Sequence, residues 1–164
     1  MSQYSPASLS YAKQQAKKFG FEIPPHPSPI AAYVPTRRVG DQVYISGQIP
    51  IQNGKLMAEG IVPTDVTLER ATKCAQLCIL NALAATYSAL SDDEGIAQIV
   101  RIGCFVACTP GFVDHPKIAN GASELLVEIL GETGRHARAA VGCASLPINA
   151  PVEIEMLAVA GKLV

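Results

Sequence analysis

The sequence is poor in charge, and it contains no long block of either sign. Charged side chains make up 16% of the 164 residues, and the formal net charge is −1. Adjacent basic residues occur only at Lys17–Lys18 and Arg37–Arg38. Proteins that bind the nucleic-acid backbone need a basic stripe or patch. We therefore expect no nucleic-acid partner.

Long apolar runs are also missing. The longest uncharged helical stretch, residues 74–91, is interrupted by polar side chains such as Gln76 and Asn81. A membrane-spanning helix needs ~20 predominantly apolar residues. Residues 1–5 are polar and lack the apolar core of a secretory signal. These features predict a cytoplasmic protein with no membrane partner.

The cysteines form no CxxC pair, and only three histidines accompany them. The five cysteines are Cys74, Cys78, Cys104, Cys108 and Cys143. Two pairs are spaced by four residues, which does not match a common zinc site, so we expect no metal. Reduced, buried thiols that act as small apolar side chains are the favoured interpretation. A redox or nucleophilic thiol is the alternative.

Apolar residues are abundant, at 49% of the chain, so one domain with a real core can form. We expect part of the excess apolar surface to be buried between subunits. Residues 1–29 are predicted to be an N-terminal helix, over about 8–19, followed by a proline-rich extension. Residues 30–164 are predicted to be the main domain.

Hydrophobic periodicity predicts the elements of the main domain. They are a β-rich segment over 38–50, a hairpin turn at Asn53–Gly54 and a helix over about 66–90, with residues typical of a helix start around Thr64. A strand over 96–108, a helix over about 116–130 and strands over about 137–144 and 151–162 follow. We summarise the fold as α+β, with the order β-β-α-β-α-β and two helices on one face of a mixed sheet.

Arg138 is the most informative candidate for chemistry. It begins an apolar strand and has no acidic neighbour in the sequence. A guanidinium in such a place needs a planar anionic partner, and a substrate carboxylate can bind it with two hydrogen bonds. The alternative is an internal salt bridge with Glu153 or Glu155. If the last two strands form a hairpin, Glu153 lies near Arg138 and can orient a water. A surface glutamate is the alternative there.

Ser46 and Gly47 end the first β-rich segment, and the glycine allows a ligand to approach the backbone closely. Ser46 does not lie in a nucleophile elbow, so a serine hydrolase is not expected. Tyr33 is an isolated aromatic residue, for which packing is the usual role. The three histidines are spread out and form no ligand motif.

Several of these pieces are found together in one known family. Residues 43–50 read VYISGQIP, and 137–155 contain Ala137–Arg138, Ser145–Leu146–Pro147 and Val152–Glu155. With the spacing of 13 residues between Tyr33 and Ser46, this combination resembles the RidA/YjgF/UK114 family, whose members are also named L-PSP endoribonucleases. The resemblance extends from about residue 30 to the C-terminus.

The resemblance implies a chorismate-mutase-like fold and a homotrimer with a central barrel. It also implies ligand clefts between subunits and no cofactor. Deaminases of this family hydrolyse enamines and imines such as 2-aminoacrylate, 2-iminopropanoate and 2-iminobutanoate to 2-oxo acids and ammonia. By resemblance, Arg138 binds the carboxylate of a small substrate and Glu153 positions the attacking water. The remaining substrate-binding residues would be Tyr33, Ser46, Gly47 and Ala140.

The sequence departs from the deaminase pattern near the arginine. Ala140 stands where these enzymes usually have cysteine, although the contact implied there is made by a backbone carbonyl. His136 stands where proline is common. Two other functions therefore stay open: a non-catalytic trimer that binds and senses small carboxylates, and an endoribonuclease. The near-neutral charge disfavours the second of these.

Overall fold

The computed structural model describes residues 5–25 and 33–163 of the chain. Residues 1–4, 26–32 and 164 lie outside the described residues. The prolines Pro27 and Pro29, His26, and the predicted start of the main domain at Ile30 fall among them.

Three helices and seven strands form the described part. The helices are α1 (Leu9–Lys18), α2 (Leu68–Ser88) and α3 (His115–Leu130). The strands are β1 (Thr36–Val39), β2 (Gln42–Gln48), β3 (Ile51–Gln52), β4 (Lys55–Leu56), β5 (Glu94–Ala107), β6 (Ala137–Cys143) and β7 (Val152–Lys162). Short 3-10 turns cover Gly131–Gly134 and Pro147–Asn149.

Five strands make the main sheet, in the order β1-β2-β7-β5-β6. The β5–β6 pair is parallel, and the other pairs are antiparallel. This confirms the α+β class and the mixed sheet. The main sheet has five strands where the order β-β-α-β-α-β contains four, because two strands, β6 and β7, follow α3. The last two strands do not form the hairpin that was left open above, because they are not neighbours in the sheet. A crossover helix links parallel strands, so α3 brings β6 to one edge of β5, and β7 pairs with the other edge.

The core lies between the sheet and the helices α2 and α3, which pack on each other. The sheet residues on this side are fully buried, among them Val43, Ile102 and Ile154. The opposite side, here called the open face, carries Phe105, Glu153, Glu155 and Leu157, none of which is fully buried. This alternation of buried and half-buried residues along β7 is the two-residue period of a strand with one covered face.

The N-terminal helix forms where the amphipathic pattern predicts it. Ser8 caps it by accepting a hydrogen bond from the amide of Tyr11. Its buried residues, Ala12 and Ala16, belong to the same core cluster as the main domain. Just before the helix, Ala7 pairs with Ile96 through amide–carbonyl bonds of 2.8 and 2.9 Å. The N-terminal segment therefore lies along the first part of β5, beyond the start of β6.

Local signals predict the β3–β4 hairpin correctly but misplace the start of α2. Asn53 and Gly54 have φ of 53° and 76° and join β3 to β4, as the Asn–Gly pair predicts. The cap of α2 is Thr67, whose hydroxyl accepts from an amide, and not the region of Thr64. The Asp65 carboxylate instead accepts a hydrogen bond from the backbone amide of Ile61 at 2.9 Å.

Candidate functional site

Arg138 lies near the start of β6 and is fixed through one of its nitrogens. Nη1 donates to Asn120 Oδ1 at 2.9 Å and to Ser123 Oγ at 3.0 Å, and both acceptors belong to α3. Among the described residues Arg138 forms no ion pair, so the internal salt bridge considered above is not observed. Glu155 instead pairs with Arg101 at 3.0 Å.

The register of the sheet determines which side Arg138 occupies. Arg138 is the partner of Ile102, and Ala140 is the partner of Cys104. Because Ile102 and Cys104 are buried under the helices, Arg138 and Ala140 lie on the helix side of the edge strand. Arg138 is exposed there, whereas Ala140 is half-buried against the core.

Glu153 lies on the open face, where it is the partner of Phe105 in the β5–β7 pair. Burial raises the pKa of its half-buried carboxyl, and the nearby charge of Glu155 adds to the effect. Arg138 and Glu153 thus lie on opposite sides of one sheet, with β5 between their strands. The hairpin on which their proximity depended does not form, so one chain does not bring these two groups together.

A β-bulge brings Gly47 next to Glu153. The partner of Ile45 is Met156, but the partner of Gln48 is Ile154, so β2 has one extra residue here. A Cβ atom on Gly47 would lie 1.7 Å from Glu153 Oε1, because the carboxylate occupies the space above the glycine. The space that the missing side chain leaves is filled here by a carboxylate of the protein itself, and the expected approach of a ligand to this backbone stays a prediction.

Ser46 and Tyr33 lie on the N-terminal side of this bulge. The amide and the hydroxyl of Ser46 both donate to the carbonyl of Pro35 at 3.0 Å. This joins the bulge to the segment that carries Tyr33, whose side chain is 56% exposed. Ser46, Gly47 and Glu153 therefore form one group, while Arg138 with Ala140 forms another at the edge of the sheet.

Sequence reasoning missed the two helix residues that fix the arginine. Asn120 and Ser123 are polar residues at i and i+3 in an otherwise apolar stretch of α3. That spacing places both side chains on one face of a helix. It was the available signal, but only the sheet topology shows that this face meets β6.

The five cysteines are free. Burial raises the pKa of Cys74 to about 11 and that of Cys104 to about 12. The pKa of Cys78 is also raised well above its usual value, mainly by burial. These three thiols stay protonated and act as small apolar side chains of the core.

Residues 5–25 and 33–163 contain neither a metal-binding cluster nor a membrane-spanning helix. No group of three or more His, Cys, Asp or Glu residues there is arranged to hold a metal ion. In the same part of the chain, no helix has the length and apolar character required to cross a membrane.

Comparison with known proteins places the chain in a family. Residues 14–159 match the family described as "YjgF/chorismate mutase-like, putative endoribonuclease". A solved structure of a protein from Agrobacterium tumefaciens, Atu1372, is 40% identical with a TM-score of 0.83, over 92% of each chain. Protein TCP17 of Trypanosoma cruzi is 33% identical, over 86% of this chain and 89% of TCP17. Escherichia coli TdcF, solved with bound serine, is 27% identical with a TM-score of 0.58, over 82% and 92% of the two chains. The chain therefore belongs to the YjgF/chorismate mutase-like family.

Proposed function

We propose that the protein hydrolyses small 2-imino acids, and the enamines that tautomerise to them, to 2-oxo acids and ammonia at clefts between the subunits of a homotrimer. The observation that carries the proposal is the arrangement of Arg138, whose guanidinium is fixed on one side and open on the other. The free, largely buried cysteines fit a reducing compartment such as the cytosol.

The open side of Arg138 has the geometry that a carboxylate needs. The two hydrogens of Nη1 are directed to Asn120 and Ser123. The hydrogens on Nε and Nη2 have no acceptor among the described residues. These two nitrogens form the edge of the guanidinium that binds both oxygens of a carboxylate side-on. The carboxylate of a 2-imino acid can occupy this edge without displacing the contacts to α3.

Glu153 provides the proton chemistry of the reaction. Its raised pKa brings the carboxyl closer to neutral pH, which suits a group that takes up and returns a proton. The carboxylate removes a proton from water as the water oxygen bonds to the imine carbon. The proton goes to the imine nitrogen and gives a carbinolamine. The carboxylate then takes the hydroxyl proton and passes it to the same nitrogen, the C–N bond breaks, and ammonia leaves as the 2-oxo group forms. Catalysis consists of positioning and charge stabilisation.

Two copies of the chain are needed to combine these groups on one ligand. Within one copy the sheet separates Arg138 from Glu153, as the register shows. The open face carries partly exposed apolar side chains, including Phe105, Leu157 and the 47% exposed Tyr44. We infer that this face is covered by neighbouring subunits. One subunit then supplies Arg138 and Ala140, and the next supplies Ser46, Gly47 and Glu153. TdcF, a structural relative, has bound serine, a small amino acid with a carboxylate.

The first test is release of 2-oxo acid from 2-aminoacrylate produced by a serine dehydratase. The protein should accelerate release above the spontaneous rate. Arg138→Ala should abolish the acceleration, and Arg138→Lys should raise KM about tenfold or more, because lysine cannot bind a carboxylate through two parallel bonds. Arg70→Ala is the control, since Arg70 is an exposed arginine of α2 whose guanidinium contacts the carbonyl of Met57 and no group of the proposed site. Unchanged rates in Arg138→Ala would contradict the proposal.

The second test is complementation between subunits. Arg138→Ala and Glu153→Gln should each be inactive alone. If one site takes its two groups from neighbouring subunits, each mixed trimer contains one intact site. Unfolding and refolding an equal mixture should therefore restore about a quarter of the wild-type activity. No recovery, with mixed trimers demonstrated by mass spectrometry, would exclude a shared site.

The same assays separate the alternatives. A sensing trimer would bind pyruvate through Arg138 without turnover. An endoribonuclease would cleave RNA in a preparation in which Arg138→Ala or Glu153→Gln removes the cleavage. The net charge of −1 disfavours RNA as a substrate.

A further inference from the structure

His136 and Ser123 form a hydrogen-bonded chain that ends on Arg138. His136 Nδ1 lies 2.6 Å from the carbonyl oxygen of Gly134, and its Nε2 lies 3.0 Å from Ser123 Oγ. Ser123 Oγ is also the acceptor for Arg138 Nη1 at 3.0 Å. The three contacts link the 3-10 turn, α3 and β6.

The acceptor at one end determines the direction of every bond in this chain. A carbonyl oxygen can only accept, so His136 Nδ1 carries the hydrogen. In the neutral imidazole, Nε2 is then the acceptor and the Ser123 hydroxyl donates to it. The hydroxyl oxygen is left with its lone pairs available to Arg138. Neutral His136 therefore holds Ser123 in the orientation that receives the guanidinium.

We propose that His136, through Ser123, is a positioning residue that holds the guanidinium of Arg138 with its carboxylate-binding edge exposed, and that protonation of His136 weakens this hold. An imidazolium donates from both nitrogens. Its Nε2–H would then compete with Arg138 for the lone pairs of Ser123, and two positive charges would share one hydroxyl. The inference rests on the proposed function, since it concerns how Arg138 binds a carboxylate.

The charged groups around His136 favour its neutral form. Its pKa is lowered, mainly by burial and also by the positive charge of Arg138, and the hydrogen bond to Gly134 opposes these effects. Glu132 and Arg135 in the preceding turn pair with each other at 2.8 Å. The two acidic residues of α3 nearest in sequence to Ser123 are exposed to solvent; they are Glu124 and Glu128.

The first experiment needs no ligand. Nitrogen NMR of the imidazole should show the tautomer with hydrogen on Nδ1, and His136 should titrate below its ordinary pKa. In Arg138→Ala the pKa of His136 should rise, because a neighbouring positive charge is removed. Assignment of the hydrogen to Nε2, or a titration that does not respond to Arg138→Ala, would overturn the inference whatever the protein catalyses.

The second experiment measures pyruvate binding by calorimetry. Ser123→Ala should weaken binding about tenfold at neutral pH, the loss expected for one hydrogen bond to a charged group, and Ser123→Thr should restore it. As the pH is lowered from about 8 to about 5, the range in which histidine titrates, the affinity of the wild type for pyruvate should fall. The affinity of His136→Gln should not change over this range. If the pH dependence of pyruvate affinity persists in His136→Gln and disappears in Glu153→Gln, the titrating group is Glu153 and the inference is contradicted.

The outcomes for the two proposals differ. If pyruvate fails to bind the unaltered protein, or binds equally well to Arg138→Ala, the proposed function fails, and the NMR experiment still decides the order of the hydrogen bonds. If Arg138→Ala abolishes binding while Ser123→Ala binds as the wild type does, the proposed function stands and the positioning role of Ser123 and His136 is refuted.

Discussion

If the proposed imine hydrolysis takes place at Glu153, replacement of Gly47 by alanine should slow it strongly without unfolding the protein. The added Cβ would lie 1.7 Å from Oε1, 2.6 Å from Cδ and 3.0 Å from Cγ of Glu153. Non-bonded atoms prefer separations of about 3.5–4 Å, so the carboxylate must move by roughly 2 Å. A displacement of about 1 Å in a catalytic group can cost about 100-fold in rate. We therefore expect kcat to fall about 100-fold or more.

The effect on stability should be smaller, because the crowded group is the end of a half-buried side chain. We expect a loss of about 1–2 kcal/mol, as for other overpacked sites. Gly103→Ala is the matched control. Its Cβ would lie 2.7 Å from Oε1 of Glu155, on the same open face but outside the proposed chemistry.

The assay is release of 2-oxo acid from 2-aminoacrylate, with urea unfolding and molecular mass measured for both variants. Gly47→Ala should lose activity at a mass equal to that of the wild type, and Gly103→Ala should keep it. Wild-type kcat in Gly47→Ala, with the displaced carboxylate verified in a crystal structure, would refute the role of Glu153.

Three further predictions concern pH and capping. Arg38 holds the pKa of the Glu94 carboxyl well below its usual range through two hydrogen bonds of 2.7 and 2.8 Å. The stabilisation is present above the pKa of Glu94 in the unfolded chain, and it is lost as the pH falls through the lower pKa of the folded state. The Tm of the wild type should therefore exceed that of Glu94→Gln near neutral pH, and the two Tm values should converge in acid. The raised pKa of Glu153 means that kcat should begin to fall, on acidification, at a higher pH than for an ordinary glutamate. Thr67→Ala should lose about 1 kcal/mol in urea unfolding through its cap, and Thr64→Ala should lose nothing measurable.

Local pattern was sufficient for much of the fold. The amphipathic spacing before Gly20, the Asn53–Gly54 turn and the alternation along β7 each act over a few residues, and the structure has an element at each place. The start of α2 shows the limit of such signals. Both Thr64 and Thr67 can cap a helix, and the choice depends on Asp65, whose carboxylate turns back to the amide of Ile61.

The arrangement of the site depended on strand order, which local pattern does not contain. Arg138 was found because a guanidinium beside an apolar strand is costly without a partner. Its relation to Glu153 depended on whether the last two strands pair, and they do not, because β5, far earlier in the sequence, lies between them. The partners Asn120 and Ser123 were missed because they come from a helix whose contact with β6 follows from the crossover.

The N-terminal segment also has a consequence for solubility. Beyond Arg101 the outer edge of β5 is occupied by β6, and before it Ala7 bonds to Ile96. The hydroxyl of Tyr87 donates to the carbonyl of Ala7 at 3.0 Å and holds this segment in place. A chain that lacked α1 and the residues before it would leave the amide and the carbonyl of Ile96 unpaired, at the end of β5 that β6 does not cover. An open strand edge is a template for another chain, so the shortened protein should aggregate more readily than the full chain.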